Sequence, residues 1–316
     1  MSDVPQISAI APWFGSNRSL AAKVGEQLAE CAWVGVPFAG GMCELAQIKA
    51  RTIVVGDVHR HVIALARVVA DDELRPLLVR RLARKVFHPD ELSYAQSLCR
   101  EVEGGSFSPP LLDWAEAYFV CCWMARSGIA GTADEFTGRV SLRWNANGGD
   151  SNVRYRNALR SMVAFSRTAR RCTFDVIDAF DLLRRVEDND EHGIYCDPPF
   201  PDAGKRYRHN SGDTLKDQRA WHTRLRDAVG FNKTRVVMRY YDHPLIRDLY
   251  PAGQGWRWLH LAGGKTQHGK DAPEVLIVKN TTETHHDDGS SPQLPAEGQD
   301  APRAPRRRKA GAVQRP

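Results

Sequence analysis

Thr52-Ile53-Val54-Val55-Gly56-Asp57 is a short, continuous run of apolar, mostly β-branched residues that ends in an acid. Such a run predicts a strand that is buried on both faces of a sheet. A second short apolar run lies upstream at 32–38, and residues 42–49 and 62–70 have helical spacing. Strands that alternate with helices predict a parallel sheet with helices on both faces, so this part of the chain is assigned to the α/β class.

The same alternation returns after Cys172. Further strands are predicted at 174–178, 193–196, 234–240 and 274–279, with a helix at 218–229. The intervening stretch, 71–171, is rich in arginine and is predicted to be mainly helical. Beyond Asn280 the composition changes to His, Asp, Ser, Pro, Ala, Gly and Arg, which predicts a disordered basic tail over 281–316. That tail either makes non-specific phosphate contacts or is merely solvated.

Composition narrows the classes of protein that the chain can belong to. It has 316 residues, 42% apolar residues and a formal net charge of +6, which suits a folded protein with a polyanionic partner. No apolar run is long enough to span a membrane and no signal peptide is recognisable, so we predict a cytoplasmic protein with no membrane partner. Seven cysteines without a Cys-x-x-Cys pair, and no histidines at ligand spacing, predict no bound metal.

The strongest chemical motif is Asp197-Pro198-Pro199-Phe200, which follows the predicted strand at 193–196. The prolines fix φ and lack N–H donors, so the turn is stiff and presents carbonyl oxygens. The Asp197 carboxylate could accept one hydrogen of an exocyclic amine, and the Pro198 carbonyl the other. The Phe200 ring could stack on a base that has been flipped out of a duplex. Taken alone, the four residues could equally be a turn that ends a strand.

A weaker signal for a nucleotide site lies upstream. Pro37-Phe38-Ala39-Gly40-Gly41 follows a predicted strand, where glycines let the backbone turn tightly and approach a ligand. Asp57 closes the next predicted strand, and an acid in that place can bind both hydroxyls of a ribose. The third glycine of a full phosphate-binding fingerprint is missing.

Asp197-Pro198-Pro199-Phe200 resembles the (Asp, Asn or Ser)-Pro-Pro-(Tyr, Phe or Trp) signature of amino-methyltransferases, and most closely that of Dam-like (alpha-group) adenine-N6 DNA methyltransferases. The resemblance covers roughly residues 8–280. It implies a Rossmann-like class I methyltransferase sheet with an inserted, mainly helical target-recognition lobe. It also implies S-adenosyl-L-methionine as cofactor, double-stranded DNA as partner, and Asp197, Pro198, Pro199 and Phe200 as the catalytic motif.

The resemblance extends to the cofactor motifs. Phe38 and Gly40 match the loop that holds S-adenosylmethionine, and Asp57 matches the acid that takes the ribose. Asp197 lies where the cofactor and base pockets would share a boundary. The remaining implied cofactor contacts are Trp13 and Phe14 at the methionine end and Asp178 at the adenine. Three departures from the family pattern are Asn17 in place of lysine, Met42 in place of the second glycine of the loop, and Phe200 in place of tyrosine.

The order of these motifs divides the chain. Residues 1–70 are predicted to be the S-adenosylmethionine-binding part, 71–171 the recognition lobe, 172–280 the catalytic part and 281–316 the tail. Candidate base or phosphate contacts in and after the lobe are Arg139, Arg143, Asn145, Asn147, Arg154, Lys205 and Tyr207. For each of the first five taken singly, a solvated loop residue is the favoured interpretation. The segment containing the last two could equally be a surface loop without a role in base flipping.

The predicted activity is therefore site-specific transfer of a methyl group from S-adenosylmethionine to N6 of a flipped-out adenine in DNA, which would place the protein at the nucleoid. Three alternatives remain open: an RNA or protein-amide substrate, cytosine N4 as the acceptor, and a catalytically silent DNA-binding module of the same fold. The sequence also leaves open whether a restriction endonuclease acts alongside it.

Overall fold

The computed structural model describes residues 10, 18–126, 136–141, 150–202, 209–261 and 274–280. All of them belong to one unit that spans residues 1–282. Within these ranges the chain forms the strands β1 (Trp33–Val36), β2 (Thr52–Asp57), β3 (Cys172–Val176), β4 (His192–Cys196), β5 (Arg235–Tyr241), β6 (Arg257–His260) and β7 (Glu274–Lys279).

The strands form one sheet in the order β3-β2-β1-β4-β5-β7-β6. The five strands from β3 to β5 in this order are parallel, and β7 runs antiparallel to both of its neighbours. The prediction of an α/β protein with a mostly parallel sheet is confirmed. Strand β6 was not predicted, because its four residues, only partly buried or exposed, give no continuous apolar signal.

One helix precedes β1, and the others lie in the connections between the strands. The helices are α1 (Arg18–Gln27), α2 (Arg60–Ala70), α3 (Leu74–Arg84), α4 (Pro89–Glu103), α5 (Leu111–Met124), α6 (Ser151–Ala169), α7 (Ala179–Arg184), α8 (Leu215–Ala228) and α9 (Pro244–Leu249). The helix predicted at 42–49 is wrong, since only a 3-10 turn forms at Glu44–Ala46. Met42 has a φ of 60°, and this left-handed backbone cannot continue a right-handed helix.

Two hydrophobic clusters cover opposite faces of the sheet. Tyr195 of β4 belongs to the cluster shared with α1–α6, whereas Ile194 and Cys196 belong to the cluster shared with α7–α9. This alternation follows from the two-residue period of a strand. The helices of 71–171 thus share a core with α2 and the sheet, with the almost wholly buried α5 at its centre.

Side-chain caps fix where α6 and α8 begin, and a glycine determines how closely α7 packs on β2. Helix α6 begins after Asp150, whose side chain accepts the N–H of Asn152, and α8 begins with a reciprocal capping box between Thr214 and Asp217. A Cβ atom at Gly56 would lie 2.7 Å from Leu182, so glycine lets α7 pack directly on β2. No helix among the described residues is long and apolar enough to cross a bilayer.

Candidate functional site

The predicted motifs lie at the carboxyl ends of neighbouring parallel strands. The loop 37–41 follows β1, Asp57 ends β2 and Asp197 follows β4 directly. Because β1 lies between β2 and β4, these segments are adjacent at one edge of the sheet. The direction of the strand order reverses between β1 and β4, which is where open α/β sheets bind ligands.

The loop after β1 is tied to the end of β2 by backbone and side-chain hydrogen bonds. The Ala39 N–H donates to the Gly56 carbonyl over 3.0 Å. The Gly40 N–H donates to Oδ2 of Asp57 over 3.2 Å, and the His59 N–H donates to Oδ1 over 2.8 Å. The glycine loop and the end of β2, which were both predicted to hold the cofactor, are therefore hydrogen-bonded to each other.

Asp57 is a half-buried carboxylate with a distinct electrostatic environment. Burial raises its pKa, while the N–H groups of His59, Gly40 and Ala39 and the nearby His209 ring act in the opposite direction. Each oxygen accepts one of the backbone hydrogens described above and retains a further lone-pair position. The group can therefore accept hydroxyl hydrogens, as a ribose contact requires.

Met42 preserves the backbone that a glycine would give the loop. Gly40 has a φ of 48° and Met42 a φ of 60°, both in the left-handed region. The Met42 side chain is 1% exposed and belongs to the core cluster on the α1–α6 face of the sheet. Met42 thus adopts a backbone that glycine adopts more easily, and its side chain contributes to the core.

A buried arginine lies against Asp197. The Arg239 guanidinium donates from Nη1 to Oδ2 of Asp197 over 2.9 Å and from Nη2 to Oε1 of Glu274 over 3.1 Å. Cys196 of β4 pairs with Met238 of β5, so Asp197, directly after β4, and Arg239 of β5 are the next residues in this parallel register. Glu274 begins β7 on the other side of β5.

Burial and these charges together set the protonation of the site. Burial raises the pKa of Asp197 to about 6; Arg239 opposes this shift, whereas Glu44 and Glu274 add to it. Burial disfavours the charged form of Arg239, but the surrounding Asp197, Tyr195, Glu274 and Glu44 outweigh it and raise its pKa. Asp197 is consequently an anion at neutral pH that becomes neutral in mildly acidic solution.

Phe200 is packed against its neighbours. Its ring is 9% exposed and lies 5.8 Å from the Tyr240 ring and 4.7 Å from the Tyr241 ring, measured between centroids. The Arg239 guanidinium carbon lies 5.6 Å from the centre of the same ring. Base stacking on Phe200 stays a prediction, and it requires either the remaining exposed edge or a movement of these neighbours. Pro198 is buried and Pro199 is half-buried.

Asp178 caps the start of helix α7, and a series of aromatic side chains runs from that helix to the β1 loop. The Asp178 carboxylate accepts the Phe180 N–H over 2.9 Å at the start of α7. The Phe180 ring contacts Trp221, which in turn lies 6.1 Å from the Phe38 ring of the β1 loop. The cap and the predicted adenine contact use the same carboxylate, and the second role stays a prediction.

The segment after the catalytic motif is held at both ends by Gln218, a fully buried residue of α8. Its Oε1 accepts the Asp202 N–H over 3.3 Å, and its Nε2 donates to the Gly212 carbonyl over 3.1 Å. His209, on this returning stretch, is close enough to Asp57 to favour the carboxylate. The chain that follows Asp197 therefore returns towards the predicted ribose contact.

The described candidates for DNA contact are Arg139 and Arg154, and both are exposed. The Arg139 carbonyl accepts the Arg126 N–H over 2.8 Å, which joins its segment to the end of α5. Arg154 lies in the first turns of α6. The predicted residues that lie outside the described ranges are Trp13, Phe14, Arg143, Asn145, Asn147, Lys205 and Tyr207.

Four residues of the site were missed in the sequence: Glu44, Gln218, Arg239 and Glu274. A signal existed for Arg239, because a charged residue inside the apolar run Val236 to Tyr240 has to find partners if the strand is central. Glu44 and Gln218 carry no such local signal. Among the described residues there is no group of three or more His, Cys, Asp or Glu that could hold a metal ion, and all seven cysteines are free thiols.

Comparison with known proteins gives no assignment. No protein-family model matches this chain, and no curated protein matches it. The geometry at the carboxyl edge of the sheet is therefore the basis on which a function can be inferred.

Proposed function

We propose that this protein is an S-adenosylmethionine-dependent DNA methyltransferase that acts on N6 of a flipped-out adenine. One observation carries the proposal: the glycine loop, Asp57 and the Asp197-Pro198-Pro199-Phe200 motif end adjacent strands at the point where the strand order reverses. The order β3-β2-β1-β4-β5-β7-β6, with β7 alone reversed, is also that of class I methyltransferase sheets, which supports the finer fold prediction.

The described residues fit the proposed cofactor. Gly40 adopts a left-handed backbone that lets the loop pass close to a ligand, and Asp57 offers carboxylate oxygens to a ribose. Phe38 provides an aromatic face on the same loop. S-adenosylmethionine, when bound, supplies an electrophilic methyl group on a sulfonium centre. The protein has to supply position and charge.

Asp197 and Pro198 would orient the acceptor. An adenine amine is a weak nucleophile because its lone pair is delocalised into the ring. Hydrogen bonds to the Asp197 carboxylate and the Pro198 carbonyl favour the geometry in which that lone pair points at the methyl group. The Asp197 anion also stabilises the positive charge that builds on the amine nitrogen, so no strong base is needed before transfer.

A surface of unbalanced positive charge supports a nucleic-acid substrate. Neither α3 nor α6 contains an acidic residue, and the two helices pack side by side. We define the basic helix face by five exposed arginines of these helices, Arg80, Arg84, Arg154, Arg160 and Arg167; Arg81 is also exposed but is paired with Asp113 and Glu116. Arginine binds phosphate in two-point contacts, so such a face suits the backbone of a duplex. We propose that it belongs to the inserted target-recognition lobe and that the protein works in the cytoplasm on the nucleoid.

Nucleoside mass spectrometry tests this function directly. Unmethylated DNA is incubated with S-adenosylmethionine and the protein, with Asp197→Ala and Asp190→Ala in parallel. Asp190 is exposed and precedes β4, at the end of the strand opposite to Asp197, so it is the matched control. We expect N6-methyladenine from the unaltered protein and from Asp190→Ala, and a loss of at least a hundredfold in Asp197→Ala.

Other outcomes would revise the function in defined ways. N4-methylcytosine would keep the mechanism and change the base. Methylated RNA with unmodified DNA would change the substrate. Cofactor binding by calorimetry without methylation of either nucleic acid would contradict the proposed reaction, and no cofactor binding would leave a silent module.

A further inference from the structure

Arg239 is an ionised side chain in the middle of a buried strand. It is 1% exposed, and its neighbours Met238 and Tyr240 on β5 are fully buried. Burial of a guanidinium is costly unless partners of opposite charge and hydrogen-bond acceptors surround it. The residues that contact Arg239 therefore indicate its role in the protein.

Those partners connect Arg239 to both ends of the catalytic motif. Nη1 binds Oδ2 of Asp197, and the guanidinium lies over the ring of Phe200. Nη2 binds Glu274, which anchors the arginine on β7. A single side chain thus fixes the first and last residues of Asp197-Pro198-Pro199-Phe200 relative to the sheet.

The contact also selects the oxygen that Asp197 can present to a substrate. Oδ2 already accepts a hydrogen from Arg239 and so keeps less capacity than Oδ1 for a substrate amine, while the side chain as a whole is 26% exposed. An incoming amine would therefore meet Oδ1, and the Arg239 contact would keep the carboxylate from rotating away. Fixing this rotamer before the substrate binds lowers the entropic cost of orienting the amine.

The position of Arg239 also affects the charge of Asp197. In the part of the chain that the structure describes, Arg239 is the cation among three carboxylates, those of Asp197, Glu44 and Glu274, at this end of the sheet. Without a cation, repulsion from the other two carboxylates and burial would favour a neutral Asp197. Among the described residues, the titratable and charged groups that face Asp197 are Glu44, Tyr195, Cys196, Arg239, Tyr240, Tyr241 and Glu274.

We propose that Arg239 is the positioning residue of Asp197: it fixes the carboxylate so that Oδ1 meets the substrate, and it keeps that carboxylate negative beside Glu44 and Glu274. The link to amine methylation rests on the proposed function. The effect of Arg239 on the ionisation of Asp197 does not, and it can be measured without any substrate.

Titration of Asp197 by carbon NMR is the decisive experiment. The full chain is labelled at aspartate Cγ, and the resonance of Asp197 is assigned by its absence in Asp197→Asn. We expect a midpoint near pH 6 in the unaltered protein. Arg239→Gln should raise the midpoint by about one pH unit or more, and Arg239→Lys should raise it less because the charge is kept while the forked geometry is lost.

Glu274→Gln and Glu44→Gln are the matched variants. Both remove a negative charge that disfavours ionisation of Asp197, so both should lower the midpoint. If Arg239 acts through its charge, the arginine and glutamate variants should shift the midpoint in opposite directions. A general loosening of the structure would not produce opposite shifts. If Arg239→Gln does not fold, Arg239→Lys and the two glutamate variants still decide the matter. An unchanged midpoint in the arginine variants, or an upward shift in the glutamate variants, would overturn the inference.

The same variants separate this inference from the proposed function. Where DNA is methylated, the acidic limb of the rate against pH should follow each NMR midpoint, and Arg239→Lys should recover part of the rate lost in Arg239→Gln. Opposite NMR shifts without methylation of any nucleic acid would support the Arg239–Asp197 relationship and refute the reaction. A rate profile in Arg239→Lys identical to that of the unaltered protein would overturn the positioning role.

Discussion

The Gly40 N–H donates to Oδ2 of Asp57 over 3.2 Å, across 17 positions of sequence. This contact joins the glycine loop after β1 to the acid that ends β2. A second N–H, from His59, holds the other oxygen. The Asp57 carboxylate therefore helps to fix the path of the loop. The loop in turn helps to fix the orientation in which the carboxylate would meet a ligand.

Asp57→Ala should weaken S-adenosylmethionine binding by about 10- to 100-fold, because hydrogen bonds to a charged group contribute roughly 1.5–3 kcal/mol. Isothermal titration calorimetry measures the effect. Asp57→Asn keeps an acceptor oxygen for one of the two N–H groups, so it should lose less affinity. The exposed Asp190→Ala serves as the control. A dissociation constant in Asp57→Ala equal to that of the control would refute the ribose contact.

Met42 provides a test of backbone strain. A residue with a Cβ atom is disfavoured at a φ of 60°, whereas glycine is not. Both Met42→Gly and Met42→Ala remove a buried side chain, so both should destabilise the protein. Met42→Gly should nevertheless unfold at higher urea than Met42→Ala, by about 1 kcal/mol in free energy of unfolding. Equal or reversed stabilities would show that the loop is relaxed in another way.

Much of the fold could be predicted because its central strands have simple patterns. The run at 52–57 matches β2 at both ends, and the predicted strand at 274–279 matches β7. Periodicity failed at 42–49, where the spacing suits a helix but the backbone at Met42 does not permit one. Short elements such as α9 and β6 were missed because a few partly exposed residues carry little periodic signal.

The site could be predicted only where a motif is contiguous. Asp197 and Asp57 were found because each ends an apolar run, and the structure places both at the same edge of the sheet. The partners of Asp197 come from β5, β7 and the turn at Glu44–Ala46, which are distant in sequence. Their approach depends on the strand order, and this order is not written in any local pattern.

Asp197→Asn should change the pH dependence of stability. The pKa of Asp197 is about 6 in the folded protein and near 3.9 in an unfolded chain. The folded state therefore binds the proton more tightly, and the unaltered protein loses stability as the pH rises from about 4 to about 6. Asparagine does not titrate, so the variant should become relatively more stable over that interval, by about 1–3 kcal/mol.

Urea unfolding of both proteins at pH 4, 5, 6 and 7 measures this difference. The difference between the two free energies of unfolding should change between pH 4 and pH 6 in favour of the variant, and change little between pH 6 and pH 7. Parallel curves across the whole interval would mean that Asp197 has an ordinary pKa in the folded protein. Asp190→Asn supplies the baseline for an exposed aspartate.

Gln218 should control access to the segment 203–208. Replacement by leucine keeps much of the buried volume but removes the hydrogen bonds to the Asp202 N–H and the Gly212 carbonyl. Each buried group left without a partner costs roughly 1–3 kcal/mol. Trypsin should therefore cut Gln218→Leu faster at Lys205, Arg206 or Arg208. Gln254→Leu, at an exposed position, should be cleaved at the rate of the unaltered protein. Equal rates in both variants would exclude control of access by Gln218.

Arg160→Ala combined with Arg167→Ala should weaken DNA binding in a manner that depends on salt. The two arginines are exposed on α6, which has no acidic residue to balance them. If each contacts a phosphate, the slope of log affinity against log salt should fall by about 1 per arginine removed, and equally for all DNA sequences. Fluorescence anisotropy over a series of KCl concentrations gives this slope.

Arg247→Ala is the matched control, because that exposed arginine of α9 is paired with Asp242. A slope that falls as much per arginine removed in the control as in the double variant would show that DNA senses only the net charge of the protein, and that the basic helix face is not its binding surface.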